Sequence, residues 1–211
     1  MQRAIVFASG TAKGGGSGFE NLVNASRLGI LQAEIVAVIS NHGNGGVAEK
    51  ARRLGIQFLH MRAPFDGDRY WALFKGLGAD FALLSGWLKK VNGLDPRKTI
   101  NIHPGPLPEF GGKGMHGHHV HEAVIKAFKR GEITHSAVSM HFVTKEYDMG
   151  PVFFRCPVPI KHDDTPDTLG SRVNEMEHLW QPAITNLVMQ GIISWDGKDP
   201  SSLKTIVLSS A

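Results

Sequence analysis

The first hundred residues repeat one alternation, and it leaves few architectures open. Ala4 to Ala8 is an unbroken apolar run, followed beyond a glycine-rich stretch by Phe19 to Leu28, with apolar residues at helical spacing. The same alternation continues with strand-like Glu34 to Ser40, helical Val47 to Leu54, strand-like Ile56 to His60, helical Arg69 to Leu77 and strand-like Asp80 to Leu84. Strands that are apolar along their whole length must be covered on both faces, and strands separated by helices run parallel. The pattern therefore predicts the α/β class: a doubly wound, mostly parallel sheet with helices on both faces. After a further strand at Thr99 to His103, Met115 to Gly131 reads as a helix. Ser136 to Phe142 and Val152 to Ile160 alternate like strands across a turn at Asp148 to Gly150. Thr165 to Gly191 reads as a long helix interrupted near Pro182, and Ile192 to Ser194 with Thr205 to Leu208 as a small terminal hairpin. At 211 residues, 42% of them hydrophobic, one domain over residues 1–211 is expected.

Composition excludes several classes of function. The net charge of +4 comes from scattered Lys and Arg, with no basic stripe of the kind that binds nucleic acid, although a mild positive bias suits small anionic substrates. The apolar residues before Gly10 are too few for a signal sequence, and no run approaches membrane-spanning length. A soluble, cytoplasmic protein is expected, with neither membrane nor nucleic-acid partners. A single cysteine, Cys156, rules out an internal disulfide and a Cys-rich zinc site.

Three stretches carry chemistry. In Thr99 to Pro108 (TINIHPGPLP), Asn101 and His103 sit two apart and share a strand face, with Ile100 and Ile102 on the other. Three prolines then end the strand, so the pair lies at its C-terminal end, where open α/β sheets form their ligand crevices. An amide beside an imidazole suits oxyanion stabilisation and proton transfer, and Asp148 is placed to orient the imidazole and favour its charged form. The second stretch, Ser9 to Gly18 (SGTAKGGGSG), lies between a strand and a helix. It fits neither the dinucleotide fingerprint nor a P-loop, but the amides of Gly16, Ser17 and Gly18 at a helix N-terminus suit a mononucleotide-type phosphate. The third is a histidine cluster, His116, His118, His119 and His121. It has no metal-protease spacing and reads as a polar helix start beside the substrate crevice, so no metal is expected.

With these residues in view, the chain resembles the folate-dependent formyltransferases over nearly its whole length. The resemblance lies in GGGSGFENL, LSGWLKKV, NIHPGPLP, GKGMHG, HFVTKEYDMGPV and RVNEMEH. It implies the Rossmann-like formyltransferase fold, with a nucleotide- and phosphate-binding half over 1–100 and a catalytic and folate-binding half over 101–211. It implies Asn101, His103 and Asp148 as the catalytic trio, Gly16, Ser17 and Gly18 as the substrate-phosphate loop, and Asn174 and Glu177 as ribose and glycinamide contacts. Leu88, Lys89, Lys90 and Val91, with the loop from Thr144 to Asp148, would hold the pterin, largely through backbone groups.

The implied reaction moves formyl from 10-formyltetrahydrofolate, a cosubstrate, to the primary amine of glycinamide ribonucleotide in purine synthesis. Protonated His103 and the Asn101 amide would stabilise the oxyanion. The partners would be small molecules, and the chain a monomer or homodimer. Two alternatives stand beside it: hydrolysis of the formyl folate, and transfer to another amine such as an amino sugar nucleotide. The chain departs from the family at Gly105-Pro106, at Lys89-Lys90 and in a first loop lengthened by Thr11 to Gly15, which bears on the shape of the folate cleft.

Overall fold

In the computed structural model, which describes residues 1–206, the apolar runs become β1 (Gln2–Phe7), β2 (Ala33–Ser40), β3 (Gln57–His60) and β4 (Phe81–Ser85). They are joined by α1 (Ser17–Arg27), α2 (Gly46–Leu54) and α3 (Gly67–Gly76). β5 (Thr99–His103), α4 (His118–Lys129), β6 (His135–Phe142), β7 (Val152–Pro159) and α5 (Pro166–Met189) follow. The seven strands lie in the order β3-β2-β1-β4-β5-β6-β7. β3 to β5 are mutually parallel, whereas β6 runs antiparallel to β5 and β7 antiparallel to β6.

Helices cover both faces, unequally. Alternate strand residues, among them Ala4, Val6, Val38, Leu83, Ile100 and Ile102, pack into one core with α1, α2, α4 and α5. Their neighbours Ile5, Phe7, Ile39, Ala82 and Leu84 form a second core with Tyr70 and Phe74 of α3. Ile100 and Ile102 point into the first core, so Asn101 and His103 emerge on the opposite face, as the strand period of two requires. The order of strands reverses beside β1, with β2 on one side and β4 on the other. Loops following β1, β4 and β5 therefore meet over the carboxyl ends of the parallel strands.

Three sequence expectations change. The helix expected from Met115 starts at His118, because Gly114 and Gly117 hold left-handed backbone (φ 90° and 51°) just ahead of it. The long C-terminal helix is not interrupted at Pro182: α5 runs unbroken for 24 residues. A proline inside a helix removes the N–H that would bond the carbonyl four residues earlier. That carbonyl, on His178, accepts instead from Asn21 Nδ2 at 2.7 Å, so a side chain from α1 replaces the missing donor. Of the terminal hairpin, Ser194 and Lys204 form an isolated antiparallel bridge in place of the expected pairing, and Val207 and Leu208 lie outside the described residues.

If Asn21 replaces the lost donor, Asn21→Leu leaves the His178 carbonyl unpaired and costs about 1–3 kcal/mol. Chemical denaturation of the purified variant measures this, and wild-type stability would remove the bond from the account of α5.

Candidate active site

The loop after β1 reaches α1 through a helix start that has no side-chain cap. Gly16, at φ 77°, is the N-cap residue and its lack of a side chain leaves the first-turn amides of α1 without an intrahelical or capping acceptor. The loop is fixed from below by the glycines that open α2. Gly46 N donates to Thr11 O at 3.3 Å, and a Cβ on Gly46 would stand 2.4 Å from the Gly14 backbone. Only a residue without a side chain at position 46 packs this closely.

After β4, Ser9 N donates to Gly86 O at 3.0 Å and Leu88 N to Ser9 Oγ at 3.0 Å, tying this loop to the first. Trp87 turns into the α3 core, where its Nε1 donates to Tyr70 Oη at 3.1 Å, while Leu88 stays 40% exposed. Burial pushes the Tyr70 phenol up to about 12, so it remains a neutral anchor.

The trio forms where β5 meets β6. Asn101 lies directly opposite His141 in the antiparallel register, and its Nδ2 approaches His141 Nε2 at 3.0 Å. His141 Nδ1 lies 2.9 Å from Phe142 O; with the proton there, Nε2 carries the lone pair and accepts from Asn101. The second N–H of Asn101 points at Asp148 Oδ1 over a long 3.4 Å. Asp148 is the only non-glycine residue with positive φ (54°) among the described residues, in the turn from β6 to β7. That turn needs Gly150, whose Cβ would lie 1.7 Å from Phe142 O. Gly112 N donates to Asp148 Oδ2 at 3.0 Å, and His141 Nε2 stands 3.4 Å from Oδ1.

His103 is 3% exposed, with Nε2 at 2.8 Å from Phe110 O and Nδ1 at 3.8 Å from Asp148 Oδ2. The carboxylate is thus a charge neighbour of the ring rather than its hydrogen-bond partner. Burial lowers the imidazole below its ordinary value, and although Asp148 and the Phe110 carbonyl both act in the other direction, they do not offset it. Asp148 acts in the expected direction, favouring the charged ring, but desolvation of a nearly enclosed imidazole outweighs one carboxylate at 3.8 Å. For Asp148 burial acts upward, but contact with His141, the adjacent His103 ring and the Gly112 amide together hold the carboxyl below its usual range.

These elements enclose a cavity of about 850 Å³. Gly16, Ser17, Gly18, Asn101, His103, Asp148, Asn174, Glu177 and Leu88 all line it, as do His116, His118 and His121. Lys89, Lys90, Val91 and Thr144 do not. Lys89 Nζ lies over the Phe65 ring, Lys90 Nζ stands 3.9 Å from Glu146, and Val91 and Thr144 border a second cavity of about 430 Å³ behind the same two loops. Sequence reasoning missed His141 because only the register of β6 on β5 sets it against Asn101. Its position two after Ser139 on an alternating strand was the only signal. Among the described residues no group of three or more His, Cys, Asp or Glu is arranged to hold a metal ion.

Asn174 and Glu177 occupy one face of α5, with Asn174 Nδ2 donating to Glu177 Oε2 at 3.2 Å. Burial raises the Glu177 carboxyl from 4.5 to about 7, against the lowering effect of Asn174. An acid whose pKa rises on folding binds its proton more tightly when folded, so its contribution to stability is complete below pH 4.5 and is lost as pH rises through about 7. Glu177→Gln, which cannot ionise, should melt close to wild type near pH 5 and above it at pH 8. A wild type that melted higher at pH 8 in paired thermal scans would contradict this.

Comparison with known proteins gives the site a context. The formyl transferase family matches residues 2–185. The chain is 33% identical, over 92% of its length, to the chloroplastic phosphoribosylglycinamide formyltransferase of Arabidopsis thaliana, of which it spans 68%. It is 31% identical, again over 92%, to the protein of the same name from Vigna unguiculata, of which it spans 63%. Among solved structures, glycinamide ribonucleotide transformylase 1 from Symbiobacterium toebii matches with a TM-score of 0.81 at 26% identity, covering 98% of this chain and 95% of that one.

Proposed function

The chain belongs to the formyl transferase family, and from that premise we propose that it carries the formyl group of 10-formyltetrahydrofolate to the primary amine of glycinamide ribonucleotide, a step of purine biosynthesis. One observation carries the choice of reaction: the uncapped amides of α1 and the Asn174–Glu177 pair line the same cavity as Asn101, His103 and Asp148. Such a wall suits a phosphorylated ribose. An enzyme delivering only water to the formyl carbon has no use for it.

Gly16, Ser17 and Gly18 receive the acceptor phosphate on their amides, at the positive end of the α1 dipole. Asn174 and Glu177 hold the ribose side. Leu88 and the Tyr147–Asp148 turn, which line the cavity, face the pterin, and Lys89 to Val91 and Thr144, outside the cavity, only support these two loops. Residues 1–100 thus supply most of the phosphate site and residues 101–211 the chemistry. The acceptor amine attacks the formyl carbon, and Asn101 gives up its long contact with Asp148 to donate to the oxyanion that forms. His103, neutral at rest, takes the proton from the attacking nitrogen, and Asp148 beside it stabilises the transient imidazolium. The proton passes to the folate nitrogen as its bond to the formyl carbon breaks. The folate is a cosubstrate, and none of these steps uses a metal. The chain acts on small molecules in the cytoplasm as a monomer or homodimer, without a nucleic-acid or membrane partner; among the described residues no helix is long and apolar enough to cross a membrane.

The direct test follows loss of 10-formyltetrahydrofolate with and without glycinamide ribonucleotide. Loss should be slow alone and much faster with the ribotide, with formyl appearing on its amine. Equal rates that release formate would install the hydrolase reading instead. Asn101→Ala should lower turnover by roughly 10²- to 10³-fold with the fold intact, the usual cost of an oxyanion donor. Because the resting imidazole must be neutral, kcat should hold level at alkaline pH and fall as pH drops, with its midpoint below 6.5. A kcat that instead rises toward acid pH would restore a protonated His103.

A further inference from the structure

His121, in the first turn of α4, lines the cavity and is 6% exposed. Among the described residues neither ring nitrogen has a hydrogen-bond partner: Nδ1 is enclosed, and Nε2, which is not, is the one a ligand can reach. Ser85 Oγ and His103 of the wall are paired, with Gln181 Oε1 at 3.2 Å and Phe110 O at 2.8 Å, whereas His178 Nε2, like His121 Nδ1, is enclosed without a partner among the described residues. Buried polar groups are nearly always satisfied, so an imidazole left open beside a cavity marks a place for a ligand. The fold also reserves room for the ring. A Cβ on Gly170 of α5 would stand 2.9 Å from His121 Cδ2 and 3.2 Å from Nε2, so only glycine leaves the ring where it is.

The chemistry of the missing partner follows from the ring. An orphaned buried N–H is rarer than an orphaned acceptor, which puts the ring proton on Nε2, beside the gap that Gly170 leaves, and a bare lone pair on the enclosed Nδ1. The nearest carboxylate on α5, Asp167, is engaged by His118 at 3.2 Å. Burial takes His121 down to about 4, so the ring is a neutral donor and suits an uncharged oxygen better than a phosphate. Gly170, Asn174 and Glu177 succeed one another along one face of α5 and line the cavity together with His121.

We propose that His121 is an acceptor-binding residue, donating from Nε2–H to a carbonyl or hydroxyl oxygen of the amine-bearing substrate, beyond the Asn174–Glu177 pair. This assignment rests on the transferase reading.

Steady-state kinetics on the full chain, varying each substrate in turn, test it. His121→Leu should raise the acceptor KM about tenfold, the worth of one good hydrogen bond, and leave the folate KM within about twofold. His121→Gln, which restores an N–H donor, should recover most of the loss. In wild-type protein with 15N-labelled histidine, the Nε2 signal of His121 should shift when glycinamide ribonucleotide is added and stay in place when the folate is added alone, which reads the contact without any variant. Wild-type transfer together with an unchanged acceptor KM in His121→Leu would overturn this assignment alone. A rise confined to the folate KM, or Gln no better than Leu, would overturn it as well. A wild type that transfers nothing to the ribotide would overturn the reading beneath it.

Discussion

The antiparallel pairing of β6 with β5 is the constraint on which the site depends. Parallel strands end together at the carboxyl edge of the sheet, and loops after β1, β4 and β5 gather there. A strand running the other way begins where they end. It sets His141 across from Asn101 and returns the chain, through the Asp148 turn, to the same edge. The amide, two imidazoles and carboxylate thereby meet within hydrogen-bond or charge-pair range, although they come from segments some forty residues apart in sequence. Gly150 lets the turn close against Phe142 O, and Gly112 pins the carboxylate from the other side. The left-handed backbone at Asp148 is strain that this surrounding framework sustains.

Burial then decides how the groups behave. An exposed histidine beside an aspartate would gain charge, but His103 is nearly sealed by Phe110 and the loop after β5, and desolvation prevails. The same physics acts on Glu177, raised to about 7 on a wall with only Asn174 to support it. It also lowers His121, which has no protein partner. A cavity in which these three buried groups all disfavour their charged forms lets a bound substrate, rather than solvent, settle where protons and hydrogen bonds go.

α5 carries one wall of the cavity and must be held straight to do so. At its start Arg172 grips Asp164 through two contacts of 2.8 Å, which holds that carboxyl far below its usual range. Further along, Asn21 supplies the donor that Pro182 lacks, docking α1 onto α5 close to the glycine-rich loop. The two helices that border the cavity are thus bonded to each other.

By itself the sequence determined the alternation of apolar strands and helices, and with it the parallel sheet, because strand and helix periods are local and every buried segment must obey them. It also determined that Asn101 and His103 share a face at a strand end, since a period of two and the following prolines suffice. The family resemblance placed Asp148, Asn174 and Glu177 toward the same cavity. Only the tertiary structure decided the rest. The register that brings His141 to Asn101 is a relation between two strands, and no local pattern encodes it. Pro182 read as a break because the donor that replaces its N–H sits on Asn21, 157 residues away from the carbonyl it serves. The protonation of His103 turned on its burial at the end of β5, and the opening beside His121 on a glycine of α5. Burial and partnership are properties of the packed chain, and they set the charge each of these groups carries.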